Sequence, residues 1–302
     1  MTCSRRFVCL TSILTLLCLL SRADAEAVPA GIQQAVSRAS VQEGIVKLAD
    51  SNIEYFTQGQ GEPVVLLPFG GLTVGYMDAL SANLADAGYR VVRINFRGSG
   101  RSTGSGEGIT LHTLAEDVAG VIHALNLGQV NVGGHAFGNR VARTLAADHP
   151  EMVHTVILFA AGGKVPPKPP GAQALATIFD PESTDAEILK EMKYMVGDPS
   201  EIQAAWQMIK PCRAPGVAGL QRTAMKNTPL QDWWAPAGTM RYLVVQGTND
   251  QIAPPENGEL LKKDLGARVT LVSFPGAGHL LLVTDPKKAA DAVVTFLHSI
   301  RT

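Results

Sequence analysis

The chain has 302 residues, a formal net charge of −1, 46% hydrophobic residues and a pI near 6.7. That balance gives no electrostatic footprint for nucleic acid or an anionic membrane surface, and the length is ample for one domain with an insertion to bury its own core. Cys3, Cys9 and Cys18 cluster near the N-terminus and Cys212 stands alone in the rest, so stability there must come from packing, not an internal disulfide.

The N-terminus reads as an export signal. Arg5 and Arg6 precede an apolar run over 7–20, and Ala23-Asp24-Ala25 fits the small-residue cleavage pattern. The run falls short of the roughly 20 residues that span a bilayer, which argues against the alternative of an uncleaved membrane anchor. Ser4-Arg5-Arg6 hints at twin-arginine export, although the residues after it follow that motif poorly. The expectation is a signal peptide over 1–25, a mature chain from near Glu26, and a secreted or periplasmic protein. Residues 26–40 are expected to form a surface linker or short helix.

Runs over 44–49 and 52–57, joined by Asp50-Ser51, predict an antiparallel hairpin. Residues 64–67 are a continuous apolar run of the kind buried on both faces of a sheet. A helix is expected over 76–87 and another strand over 91–96. Arg97-Gly98-Ser99-Gly100-Arg101-Ser102-Thr103-Gly104 follows, and Gly100–Gly104 literally matches G-x-S-x-G. Ser102 nevertheless lacks a helix directly behind it, so a turn or cap hydrogen bond is the expected role. Leu111, Leu114, Val118, Val121, Ile122 and Leu125 keep helical spacing, with either Thr110 or Thr113 as the cap. The short strand 130–133 then runs through Gly134-His135-Ala136-Phe137-Gly138 into a helix stopped by Pro150, before a strand over 156–161. Strands alternating with helices over short connections predict an α/β chain with a mostly parallel sheet.

After Gly162-Gly163 the composition changes. A proline-dominated leader over 164–170 is expected to be extended, and 182–195, 201–209 and 217–227 look helical, before Trp233-Trp234. The pattern returns to strands at 242–249, ending in Asp250, and at 269–274, followed by Pro275-Gly276-Ala277-Gly278-His279. Helices are expected over 259–265 and 286–298.

Gly134–Gly138 has the spacing of a nucleophile elbow, a strand-to-helix turn so tight that only small residues fit beside its apex. With Asp250 and His279 following in the order nucleophile, acid, histidine, the chain resembles the α/β-hydrolase superfamily (AB hydrolase-1 type) over roughly 43–300. The resemblance implies a central sheet covered by helices on both faces, a core over 26–163 and 238–302, and a helical cap over 164–237. It assigns Asp250 and His279 to the catalytic pair and Ala136 to the nucleophile position. Alanine there is inert, which excludes a covalent acyl-enzyme. The expected oxyanion-hole donors are the backbone N–H of Phe137 and that of Phe69 or Gly70, since Pro68 has none. His135, Trp206, Trp233 and Trp234 are candidate pocket residues, together with Met208 and Phe179. Packing of the cap onto the core explains any one of the cap aromatics equally well.

The function expected on that basis is turnover of a small ester, lactone or related carbonyl compound by His279 and Asp250 without a serine. A cofactor-free lyase, C–C bond-cleaving or isomerising enzyme using the same pair is one alternative, and a ligand-binding member of the family without turnover is another. Retention of both Asp250 and His279 favours an enzyme, because a binder has no need of the pair. No cofactor or metal is expected: the histidines lack ligand spacing, and neither nucleotide-binding glycine motif is present. The partner is therefore a small-molecule substrate, with no nucleic acid and no stable membrane association once the signal is removed. The oligomeric state is left open.

Overall fold

Asp50-Ser51 turns the chain back on itself, and strands β1 (Gln42–Lys47) and β2 (Ser51–Gln58) pair antiparallel from Gln42 opposite Thr57 to Lys47 opposite Asn52. The computed structural model describes residues 40–301; the expected export signal and the linker after it lie outside the described residues. Strand β3 (Glu62–Leu67) leads through a loop to helix α1 (Asp78–Asp86), then to β4 (Tyr89–Ile94), the short β5 (Thr103–Gly104) and α2 (Leu111–Ala124). Thr110 caps α2, reciprocally with Thr113, which decides between the two possible starts. Strand β6 (Val130–His135) runs into α3 (Phe137–Asp148), followed by β7 (Val153–Phe159).

Helices alone fill the stretch between β7 and the next strand: α4 (Pro169–Ile178), α5 (Asp185–Glu191), α6 (Ile202–Ile209) and α7 (Pro215–Lys226), with short 3₁₀ turns between them. Helix α4 was not expected. Pro169 and Pro170 sit in its first turn, where a missing N–H costs nothing, so the prolines start a helix instead of prolonging an extended leader. Strand β8 (Arg241–Gly247), α8 (Glu256–Leu265), β9 (Val269–Phe274), the single turn α9 (Leu281–Thr284) and α10 (Pro286–Ser299) complete the chain.

The sheet order is β1-β2-β4-β3-β6-β7-β8-β9, with β5 against β2. From β4 to β9 every pairing is parallel, and the antiparallel β1 and β2 form one edge. Strand period two sorts the core into two layers. Val64, Leu66, Ile157, Phe159, Leu243 and Val245 face α1 and α10, while Val65, Leu67, Val156, Leu158, Tyr242 and Val244 face α2 and α3. All of these are fully buried, which is why the strands read as continuous apolar runs and not as alternating ones.

The chain winds outward from β3 to β4 and then returns to β3's other side with β6. A crevice opens beyond the carboxyl ends of strands at such a reversal. The segments after β3, β6, β7, β8 and β9 all converge there.

Candidate active site

The turn between β6 and α3 has Ala136 at its apex with φ 50° and ψ −102°, a conformation that L side chains rarely adopt. Its flanks explain why the sequence folds this way. A Cβ on Gly134 would collide with the backbone of Gly138 and Asn139, and one on Gly138 with the Leu67 and Pro68 carbonyls. Two glycines thus let the turn close against the end of β3. The Phe137 N–H opens α3 and has no intrahelical carbonyl to meet.

Asp250 follows β8 and is completely buried. Its Oδ1 accepts hydrogen bonds from the N–H groups of Ile252 (2.8 Å) and Ala253 (2.7 Å), which fixes the carboxylate from behind. His279, on the glycine-rich loop after β9, places Nδ1 2.8 Å from Asp250 Oδ2. A carboxylate only accepts, so the imidazole donates from Nδ1 and keeps its lone pair on Nε2. That Nε2 is buried and has no protein partner among the described residues.

His279 and Ala136 line one cavity of about 430 Å³, together with Phe69, Gly70, Phe137, Ala160, Phe179 and Ile252 on its apolar side. Arg140, Gln221 and Arg222 supply the other polar groups in its wall. The volume suits a small organic molecule.

Behind this cavity a directed chain of hydrogen bonds runs through His135. Its Nε2 lies 2.9 Å from the main-chain oxygen of His279, and its Nδ1 lies 2.9 Å from the Tyr76 hydroxyl. A carbonyl can only accept, so His135 carries its proton on Nε2 and accepts from Tyr76 at Nδ1. Tyr76, having donated, accepts from the Phe69 N–H at 2.8 Å. Burial, reinforced by the neighbouring His279, pushes the His135 pKa down to about 3, so the ring is neutral, as this chain requires.

The chain corrects the expectation for Phe69: its N–H is occupied by Tyr76. Gly71 N–H is likewise taken, by Gln221 Oε1 at 2.8 Å. Between them, Gly70 N–H has no partner among the described residues, and Gly70 lines the cavity together with Phe137.

The other expected pocket residues sit elsewhere. His135 lies beneath the cavity, its ring packed 5.4 Å from that of Phe69 and 5.3 Å from that of His279. Trp206 is buried in the core cluster that includes Met192 and Ile209, and Met208 is 43% exposed. Trp233 and Trp234, edge to face with each other, both contact the guanidinium of Arg143, at 4.6 and 5.1 Å from their ring centroids. The tryptophans here brace the helices, while the apolar side of the cavity is lined by phenylalanines and smaller side chains. Ser102 is buried against the sheet edge, where its Oγ accepts from Glu54 N–H and donates to the Asn95 carbonyl, both at 2.9 Å. Arg140, Gln221 and Tyr76 were not singled out in the sequence. Arg140 was within reach of it, standing one helical turn after Ala136 on the same face.

A parallel sheet with a strained strand-to-helix turn and a buried imidazole–carboxylate pair around one crevice defines an α/β-hydrolase architecture. The comparisons agree: the α/β-hydrolase fold family matches residues 63–286, and the chain belongs to that family. It is 26% identical to a non-heme chloroperoxidase of Streptomyces lividans over 85% of this chain and 100% of that one. Among solved structures it resembles an esterase from Rhodococcus sp. ECU1013, with a TM-score of 0.73 at 21% identity over 86% of this chain and 99% of that one. A thermophilic esterase from Thermogutta terrifontis matches with a TM-score of 0.72 at 23% identity, over 86% of this chain and 100% of that one.

Proposed function

We propose that the protein is a hydrolase-type enzyme that turns over a small ester, lactone or related carbonyl compound by general-base catalysis from His279, without a nucleophilic side chain. The observation that carries this reading is the His279 imidazole itself. Asp250 holds its Nδ1–H, and its unpartnered Nε2 is buried at the wall of the cavity that Ala136 also lines. An imidazole in this tautomer takes a proton at Nε2. Because Ala136 offers no hydroxyl, the proton comes from water, whose oxygen attacks the substrate carbonyl carbon. Negative charge then develops on the carbonyl oxygen, where the N–H groups of Gly70 and Phe137 stabilise it. As the tetrahedral species collapses, the imidazolium returns its proton to the leaving oxygen. Asp250 stabilises the imidazolium without taking the proton.

Helices α4 to α7 act as a cap in this reading, since α4 and α7 supply Phe179's neighbours and Gln221 to the cavity wall. Export of the protein is part of the proposal, resting on the basic and apolar N-terminal pattern alone; N-terminal sequencing of the mature protein tests it.

The decisive experiment is a turnover screen of short esters, lactones and β-dicarbonyl compounds against wild type, His279→Ala and Asp250→Asn. His279→Ala is expected to abolish turnover. Asp250→Asn, which favours the wrong tautomer, is expected to lower kcat by about 10³–10⁴. Turnover that persists in a folded His279→Ala protein rules this mechanism out.

A further inference from the structure

Beyond the reacting pair, the cavity contains a charge that nothing in the fold neutralises. Arg140 projects from α3 one turn after Ala136 and lines the cavity, with its guanidinium near Gly162 and Ala253. Among the described residues it forms no ion pair, and its only ring contact is with Trp233, at 5.6 Å from the centroid. The cavity wall includes no aspartate or glutamate. Asp250, the acid of the site, has its oxygens engaged by His279, Ile252 and Ala253.

The next arginine on the helix sharpens the point. Arg143 is fully buried but satisfied: it donates to the Asn139 side chain at 2.7 Å and the Gly162 carbonyl at 2.7 Å, against the rings of Trp233 and Trp234. Its partners are all neutral, so it adds positive potential to that of Arg140 without cancelling it. Desolvation pushes Arg140 down to about 10 and Arg143, which also feels Arg140, to about 9, so both stay cationic at neutral pH. Arg143 is the fully buried one; Arg140 is half-buried and lines the cavity without a counter-charge, an arrangement that packing alone does not call for.

A second, independent group points into the same space. Gln221 is 3% exposed, and its Oε1 is fixed by Gly71 N–H. Its Nε2 is left without a partner among the described residues, in the wall of the cavity. A buried amide donor and a guanidinium without a counter-charge, in a wall that also holds Arg222 and no acid, are complementary to an anion. A planar guanidinium matches a carboxylate through two parallel hydrogen bonds. A phosphate dianion would call for more donors than this wall offers.

We propose that the cavity takes a substrate bearing a carboxylate, which pairs with Arg140 and is approached by the Gln221 amide while the carbonyl to be attacked lies by His279. The substrate class is thus a half-ester, lactone acid or oxo-acid, not a neutral ester. This deepens the proposed function and rests on it for the placement of the reacting carbonyl, but the anion preference itself does not depend on turnover.

The test is therefore a binding measurement by titration calorimetry, with phenylacetate, its uncharged amide phenylacetamide, and phenyl phosphate as probes. Wild type is expected to bind phenylacetate at least about tenfold more tightly than phenylacetamide, as a charge-assisted hydrogen-bonded pair requires. Arg140→Gln should erase that preference, Arg140→Lys should keep part of it, and Arg222→Gln, at the exposed mouth, should keep most of it. His279→Ala should retain the preference even with turnover gone, which separates a failure of the mechanism from a failure of this inference. Thermal unfolding of each variant checks that it is folded. Equal affinity for acid and amide overturns the proposal, as does binding of neither, tighter binding of phenyl phosphate, or a preference that survives in folded Arg140→Gln.

Discussion

His135 Nε2 donates to the main-chain carbonyl of His279 across 2.9 Å. The residue just before the apex of the β6–α3 turn thus holds the backbone of the imidazole that faces the cavity. Through Tyr76 the same ring reaches the loop after β3, so three of the segments that build the site are tied by one neutral histidine.

If that chain acts as a unit, its members are not additive. Replacing His135 by Phe strands the Tyr76 hydroxyl proton and the His279 carbonyl, and Tyr76→Phe strands the Phe69 N–H and His135 Nδ1, each group at a cost of about 1–3 kcal/mol. The double variant should lose clearly less stability than the sum of the single ones, by 0.5 kcal/mol or more in a denaturant-unfolding cycle. Strict additivity would show that the bonds are independent.

The depressed titration of His135 makes stability pH-dependent in a definite sense. Its folded pKa of about 3 lies below the ordinary 6.5, because burial and then the neighbouring His279 disfavour the cation. On acidification the unfolded chain takes the proton first. The contribution is therefore complete above about pH 6.5 and declines toward pH 3, by up to about 1.4 kcal/mol per pH unit. The groups facing it are Tyr76 and His279, with Asp250 beyond the latter. His135→Phe should flatten the acid side of a plot of urea midpoint against pH. Parallel curves for variant and wild type would contradict the assignment of a neutral, buried ring.

Ala136 retains a backbone that costs about 1–3 kcal/mol to hold, although it carries no hydroxyl for that backbone to present. Ala136→Ser places one at the wall of the cavity that His279, Gly70 and Phe137 also line. Loss of a serine nucleophile costs about 10⁶ in kcat in enzymes that depend on it, so a large gain is available. The variant should acquire labelling by a fluorophosphonate probe and faster hydrolysis of an activated ester, while wild type remains unlabelled. A folded but unreactive serine variant would mean that the turn does not present its apex to the imidazole.

Asp117 anchors the loop after β4. Its two oxygens receive Arg97 Nε at 2.7 Å and Nη2 at 2.8 Å, and Ser51 Oγ donates to Oδ1 at 2.7 Å. Asp117 itself, outweighing burial, holds the Arg97 guanidinium above its ordinary pKa. Asp117→Ala leaves a buried cation facing the partly exposed Asp50 alone, and should cost about 3–5 kcal/mol in chemical unfolding. A change below 1 kcal/mol would indicate that water replaces the lost carboxylate.

Much of this protein was legible in its sequence because the relevant physics is local. Apolar runs bounded by turns marked the strands, and a 3.6-residue period marked α2. Gly134 and Gly138 marked the tight turn because only hydrogen fits where the backbone closes on β3. Asp250 and His279 stood out because each follows an apolar strand, at the place in the chain order where the acid and the histidine of such a site are expected.

What the sequence could not state is which groups reach one another across the fold. Nothing local says that Phe69 N–H is occupied by a tyrosine, or that Gln221, from an inserted helix, lines the cavity with its amide nitrogen unpaired among the described residues. The tryptophans were ambiguous for the same reason: a large ring suits a pocket or a core equally, and the packing of α3 against the inserted segment put Trp233 and Trp234 around Arg143. Elements arise from short-range propensity and periodicity. Hydrogen-bond partners and uncompensated charge are properties of distance in space, and only the assembled sheet and its covering helices fix those.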